Sequence, residues 1–375
     1  MKPKIAIVRG KFLNKYEMQL FEPLADDFDI TAFGSRTSYH DQFVFPVVKL
    51  ASPMDLPDFP YKLPILNRMF VDAHYLFGLE KALQGFELVH SAETYFHFTQ
   101  QCLRAKDKGF VKKVITTVLE NIPFNNEGIW GRIQFKKRAR EKLDHIIALT
   151  ALTKKTLLAE GADPDKITQI AHYVDTIQFA PSNTVRRKKK DITILFTGRL
   201  EVYKGIFDLL DAFLLLIRNQ KLQLRSMKLL IVGDGSQRYA IMHRARELGI
   251  IPFIEFCSVR YDDMPNVYRK ADIFVAPSKP TPTWQEQYCT ALLEAQASGL
   301  PIITTNTGGI PENIGNAGTL IEPGDVNALA QAIKELILNP KLRVFYAKKA
   351  RQRAIRRHDI AIGARKLTAL YHSLL

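Results

Sequence analysis

Ile192-Thr193-Ile194-Leu195-Phe196-Thr197-Gly198-Arg199-Leu200-Glu201-Val202-Tyr203-Lys204-Gly205 decides how this chain is read. A short run rich in β-branched and apolar residues stops at a glycine. After a polar turn, apolar residues recur at helical spacing from Ile206 to Arg218, and Lys228–Val232 then reads as a second strand. A strand that is apolar throughout, followed by a helix and another such strand, predicts a parallel sheet covered on both faces.

The same grammar extends in both directions. Downstream, Ile254–Cys257, Ile273–Ala276 and Pro301–Thr304 read as strands, with helices at Ser236–Leu248, Thr290–Ser298 and Val326–Leu338. Upstream, strands are predicted at Lys4–Val8, Phe28–Ala32, Glu87–Ser91, Lys113–Val118, His145–Thr150 and Ile167–His172. Helical patterns there include Glu17–Ala25, Leu66–Leu83 and Gly131–Leu143. The expected fold class is therefore α/β, with two doubly wound, Rossmann-like domains facing each other across a cleft. The break falls in residues 181–190, which begin with a proline and end in five consecutive basic residues. A like-charge block of this kind resists packing and reads as a linker. Residues 1–180 then form one domain and 191–355 the other. Ligands of such sheets bind at the carboxyl ends of the strands.

Composition narrows the function classes. The 375 residues include 46% hydrophobic and 24% charged residues, which suits a globular protein and argues against disorder. Lys+Arg number 53 against 38 Asp+Glu, a net charge of +15, so phosphate-bearing or other polyanionic partners are expected. Three dispersed cysteines with no CxxC pair support neither a zinc site nor a disulfide framework. A reducing, cytoplasmic setting fits that usage. The most apolar helical stretch, Leu209 to Ile217, is far short of the roughly 20 residues that span a bilayer.

Two constellations carry most of the chemistry. Arg199 follows the strand Ile192–Thr197, and Lys204-Gly205 opens the next helix; a guanidinium fork and an ammonium at a helix start can cradle a diphosphate. Glu286-Gln287-Tyr288-Cys289-Thr290 lies before and at the start of a helix that carries Glu294. Backbone N–H groups at such a start can face an anion, and a carboxylate deeper in can accept ribose hydroxyls. Two further glycine turns, Val232-Gly233-Asp234-Gly235 and Thr307-Gly308-Gly309, read as structural, the first as a wall of the cleft. Val8-Arg9-Gly10-Lys11 could touch a phosphate or an acceptor. Asp163-Pro164-Asp165 matches a metal-holding pattern but sits where a turn is expected. The helix holding Arg132, Lys136, Lys137, Arg138, Arg140 and Lys142 reads either as a solvated basic face or as a surface for an anionic membrane.

Taken together, Gly198-Arg199-Leu200 with Lys204-Gly205, Glu286-x7-Glu294, and Glu294-Ala295-Gln296-Ala297-Ser298-Gly299-Leu300-Pro301 resemble the GT-B retaining glycosyltransferases of family GT4. The segments Asn266–Ser278 and Val174–Phe179 extend the likeness. The resemblance implies a metal-independent, retaining transfer of a hexose from a UDP- or GDP-linked donor to a glycan or a lipid-linked acceptor, with no cofactor. It implies that Arg199 and Lys204 bind the diphosphate and that Glu294 holds the ribose. Glu286, with the backbone of Gln287, Tyr288, Cys289 and Thr290, would orient the sugar. Arg260 is expected near the nucleotide base, and Gly10, Glu93 and His97 on the acceptor side, with His90 as another candidate there. Residues 356–375 would form a helix returning to the first domain. The chain departs from the family pattern at Cys289, where relatives commonly have glycine, and at Gly10, where many have a glycine pair.

The alternatives are a nucleotide-sugar epimerase or glycan phosphorylase on the same fold, and a non-catalytic protein that binds polyanions or membrane. The last leaves Glu286 and Glu294 without a role. Nucleic acid is not an expected partner; an anionic membrane surface at the cytoplasmic face is.

Overall fold

A computed structural model describes residues 1–181, 192–219 and 227–375. The linker expected at 181–190 therefore lies, but for Pro181, outside the described residues. Contacts divide the chain into two compact units, Met1–His172 with Ile360–Leu375, and Tyr173–Asp359.

The first unit is built on seven parallel strands: β1 (Lys4–Gly10), β2 (Asp29–Ser35), β3 (Val47–Leu50), β4 (Leu88–Ala92), β5 (Lys113–Val118), β6 (His145–Ala148) and β7 (Ile167–Gln169). They are ordered β3-β2-β1-β4-β5-β6-β7. The inner strands β1, β4, β5 and β6 are buried almost without interruption, as a sheet covered on both faces requires.

The second unit has six: β8 (Ile192–Thr197), β9 (Met227–Val232), β10 (Ile254–Cys257), β11 (Ile273–Ala276), β12 (Ile302–Thr305) and β13 (Thr319–Ile321). Their order is β10-β9-β8-β11-β12-β13, with all pairings parallel. In both sheets the strand order reverses beside the first strand, between β1 and β4 and between β8 and β11. These are the switch points outside which doubly wound sheets bind ligands. The helix Ile206–Ile217 shows why the second unit holds together. Ile206, Leu209, Leu210, Phe213 and Leu216 are all buried at spacings of three and four. Each contributes roughly 1.5–3 kcal/mol by leaving water.

Some expected elements differ. The pattern Leu66–Leu83 divides into a helix Lys62–Phe70 and a short helix Leu79–Ala82. Val71 takes φ +63 and Gly78 φ +82, so the helix cannot run through the intervening residues although the apolar spacing continues. Glu17–Ala25 likewise splits into Lys15–Met18 and a 3-10 turn Glu22–Asp26 with Pro23 in its first turn. The short strands β3 and β13 fall below what apolar patterning reveals.

The basic helix Arg132–Lys142 keeps a solvated face, at Lys137 and Lys142, but much of its charge is paired. Arg132 is buried and pairs with Asp72 at 2.6 Å, and buried Lys136 meets Glu160 and Glu127. Arg140 reaches Glu160 at 3.2 Å, while Arg138 and Lys142 share Asp107. The carboxylates come from distant segments, so the neutralisation was not legible from the helix alone. Among the described residues no helix is long and apolar enough to cross a membrane.

Residues 173–180 pack with the second unit: the Val174 N–H donates to the His358 carbonyl, and Arg269 donates to the carbonyls of Gln178 and Ala180. The terminal helix Ile360–Leu374 belongs to the first unit, where Tyr371 is fully buried. Its hydroxyl lies 2.7 Å from His90 Nδ1, and His90 Nε2 lies 2.7 Å from Thr117 Oγ1. Tyr371→Phe should therefore strand a buried imidazole nitrogen and lower stability by about 1–3 kcal/mol in chemical denaturation. An unchanged midpoint would contradict that role.

Candidate functional site

The carboxyl end of β8 turns at Gly198, and the Gly233 turn supports it. The Gly198 N–H donates to the Val232 carbonyl, the Leu200 N–H to Asp234, and the Gln237 N–H to Leu200. The turn read as a cleft wall thus buttresses the Arg199 loop. Arg199 itself is exposed, its guanidinium 5.8 Å from the Tyr203 ring.

The chain then passes Lys204 and Gly205 close to β11. Gly205 has φ +70, and a Cβ there would stand 1.8 Å from the Pro277 carbonyl oxygen. Only glycine permits this approach. It carries Lys204 to the end of β11, where its ammonium donates to Glu286 Oε2 at 2.7 Å and Oε1 at 3.1 Å. Ser278 Oγ donates to the same Oε2 at 2.8 Å. Both side chains are largely buried, at 16% and 7% exposure. Burial, the largest influence, pulls the Lys204 pKa down, but the charge and hydrogen bonds of Glu286 outweigh it and hold the ammonium above its ordinary value.

Glu286 is fixed from its other side by the turn Thr307-Gly308-Gly309. The Gly309 N–H donates to the Glu286 carbonyl at 2.8 Å, and a Cβ on Gly308, at φ +54, would come within 1.9 Å of that oxygen. This turn is structural, as expected, and its task is to seat the acid.

The segment from Gln287 to Thr290 leads into the helix Thr290–Ala297. Buried Tyr288 directs its ring inward, its hydroxyl 3.4 Å from His358 Nδ1. Asn313 Nδ2 donates to the carbonyls of Tyr288 and Cys289, and is itself oriented by Gln296 at 2.8 Å. Cys289 stands at the helix N-cap with φ +58, where glycine would be unstrained. Burial and the neighbouring Glu286 charge push its thiol up to about 12. Gln287 and Thr290 are half-buried.

Glu294 is buried on the first turns of that helix and accepts from the Tyr268 hydroxyl at 2.6 Å. Tyr268 also meets Thr197 Oγ1 at 2.9 Å, which ties the acid to the end of β8. Burial raises the Glu294 pKa to about 7, opposed by hydrogen bonds from Tyr268 and Tyr261. Arg260 forms an exposed pair with Asp263, its side chain 85% exposed.

The second unit thus brings Lys204 and Glu286 into contact and sets Cys289 and Arg199 within electrostatic reach of Lys204. The contacts of Ser278, Tyr268, Asn313 and Trp284 with the site were not legible in advance, because they depend on how the chain folds back and not on local spacing.

The acceptor-side candidates lie in the first unit. Gly10 closes β1 at φ +55, where pairing with β2 shifts register. Arg9 before it turns inward, 1% exposed, to Glu17 at 2.6 Å and the His90 carbonyl at 3.0 Å. Lys11 is half-buried and donates to Thr37. Glu93, at φ +57, is buried at the end of β4 and accepts from the Leu119 and Glu120 N–H groups. Burial and the Glu120 charge raise it to about 8. His97 Nδ1 lies 2.6 Å from the Phe70 carbonyl, with its pKa lowered chiefly by burial. Asp163 accepts from the Asp165 N–H in an ordinary turn. Among the described residues no three His, Cys, Asp or Glu side chains are grouped to hold a metal ion.

Residues 180–353 match the family described as Glycosyl transferases group 1. The chain is 28% identical over 253 residues to D-inositol 3-phosphate glycosyltransferase of Corynebacterium kroppenstedtii, covering 63% of this chain and 54% of that protein. It is 33% identical over 206 residues to the enzyme of the same name from Corynebacterium jeikeium, covering 50% and 48%. The chain spans about half the length of the curated relatives it matches. Among solved structures, Anabaena HepE in complex with UDP and glucose superposes with a TM-score of 0.78 at 16% identity, over 99% of this chain and 100% of that one. Sucrose-phosphate synthase from Thermosynechococcus elongatus gives 0.77 at 22%, over 100% and 99%. These likenesses bear out the two Rossmann-like sheets of the GT-B fold class.

The Lys204–Glu286 pair should behave as a coupled unit. Lys204→Met or Glu286→Gln alone should each cost about 3–5 kcal/mol of stability by leaving a buried charge unpaired. The double variant should cost clearly less than their sum. Additive losses would contradict the pairing.

Proposed function

Because residues 180–353 match the family described as Glycosyl transferases group 1, we propose that the chain moves a hexose from a UDP- or GDP-linked donor to a glycan or lipid-linked acceptor, with retention and without a metal. The observation that carries this reading is the Lys204 ammonium held on Glu286 at the carboxyl end of β8 and β11, beside the start of the helix that bears Glu294.

In this reading Lys204 and Arg199 grip the diphosphate. Glu294 accepts hydroxyl protons of the ribose, helped by Tyr268, which keeps the carboxylate in one orientation. Glu286 and the backbone around Cys289 orient the sugar. The bond from the anomeric carbon to the diphosphate breaks through an oxocarbenium-like state, and negative charge builds on the leaving oxygen. Fixed cations and helix N–H groups stabilise that charge at no reorganisation cost when it forms. The acceptor oxygen then bonds the same face of the anomeric carbon, and its proton passes to the leaving phosphate. No covalent role falls to Glu286.

Incubation with UDP- and GDP-sugars in the presence of a chelator, followed by NMR, tests the proposal. Release of nucleoside diphosphate with a new glycoside is the expected product. An altered sugar nucleotide without an acceptor would point to an epimerase instead. Binding should also depend on pH through Glu294. With its pKa near 7, nucleoside diphosphate affinity should fall about tenfold from pH 8 to pH 6 as the acid protonates. Glu294→Gln should bind weakly and lose that component of the pH dependence. A variant that keeps the wild-type profile would remove Glu294 from the site.

A further inference from the structure

Arg199 and Lys204 share an aromatic neighbour that the proposed chemistry leaves unassigned. The Tyr203 and Trp284 rings lie 4.1 Å apart between centroids. The Lys204 ammonium is 5.0 Å from the Trp284 ring and 6.0 Å from the Tyr203 ring, and the Arg199 guanidinium is 5.8 Å from Tyr203. Lys204 thus faces both rings, and Arg199 faces that of Tyr203. The pair is not core packing: both rings are only half-buried, and neither belongs to a hydrophobic core of the described residues.

The segment that delivers Trp284 is itself braced. In Lys279-Pro280-Thr281-Pro282-Thr283-Trp284, prolines on either side of Thr281 restrict the backbone. Thr281 and Trp284 close on each other as an antiparallel bridge, with the Thr281 N–H donating to the Trp284 carbonyl at 2.7 Å. The Lys279 N–H donates to the Tyr203 carbonyl at 2.8 Å, and its ammonium to Asp208 at 2.9 Å. The loop is therefore fastened to the turn that carries Tyr203 and Lys204, which fixes the indole against the ammonium.

We infer that Trp284, packed against Tyr203, is a positioning residue that holds the Lys204 cation ready for the donor diphosphate. The inference rests on the donor-binding reading above and extends it to a side chain outside the phosphate-binding set. A lysine has a long stem with much rotamer freedom to lose on binding a ligand. Glu286 takes two of its ammonium protons, and the indole face attracts the same cation through its quadrupole. Together they order the side chain before any ligand arrives, so less of the binding energy goes to ordering it afterwards. An aliphatic residue of similar bulk could fill the space but could not attract the cation.

Calorimetric titration of UDP and GDP into the full chain, wild type against Trp284→Phe, Trp284→Leu and Trp284→Ala, tests this. Phe should bind within about threefold of wild type, and Leu and Ala at least fivefold more weakly, at matched melting temperatures. If Trp284→Ala does not fold, the comparison of Phe with Leu decides. In a Trp130→Phe background Trp284 is the remaining indole, and its fluorescence should change on addition of UDP or GDP. Leu binding as tightly as Phe, or silent fluorescence with bound ligand, would overturn the role of Trp284 while leaving donor binding intact. A wild type that binds neither diphosphate would overturn the donor reading, and this inference with it.

Discussion

A lysine and a glutamate removed from water beside two strand ends are stable only as a pair, and the second unit is arranged to make them one. Lys204 reaches Glu286 because Gly205 lets the chain pass against the Pro277 carbonyl. Glu286 stays in place because the Gly308-Gly309 turn grips its carbonyl from behind. Each glycine serves a backbone contact, and the two contacts converge on one ammonium. Removing either partner leaves a charge that the protein cannot solvate, which makes this contact a constraint on everything around it. The same strand ends anchor Glu294 through Tyr268 and Thr197, so the acids on either side of the helix start are held by one framework.

The strands of both sheets were legible because parallel strands buried on two faces are continuously apolar, and glycine turns mark where they end. The limits of that signal are physical as well. Strands β3 and β13 are short, and their burial is only partial, so no unbroken apolar run announces them. The pattern Leu66–Leu83 keeps a helical spacing through residues that cannot be helical, because periodicity records which side chains face inward and is silent about φ.

The candidate site was legible to a different depth. Arg199, Lys204, Glu286 and Glu294 stand at strand ends and helix starts, positions that local sequence reveals. Tyr268 and Asn313 reach in from other segments, and Ser278 and Trp284, though near Glu286 in sequence, are turned onto Glu286 and Lys204 only by the fold. The basic helix Arg132–Lys142 shows the reverse error. Its charge is conspicuous in sequence, yet Asp72, Glu160, Glu127 and Asp107 neutralise most of it inside the first unit. A charge run identifies a surface only once its counter-ions are known.

The central claim is that the two cations, the paired acid and the ribose-holding acid form a single seat for a nucleoside diphosphate. A crystal structure of the protein saturated with UDP or GDP tests it most directly. The account predicts the diphosphate oxygens within hydrogen-bonding distance of Lys204 Nζ and the Arg199 guanidinium, with ribose hydroxyls on Glu294. Density for the nucleotide at another place, with Lys204 still bound only to Glu286 and Glu294 only to its tyrosines, would contradict it.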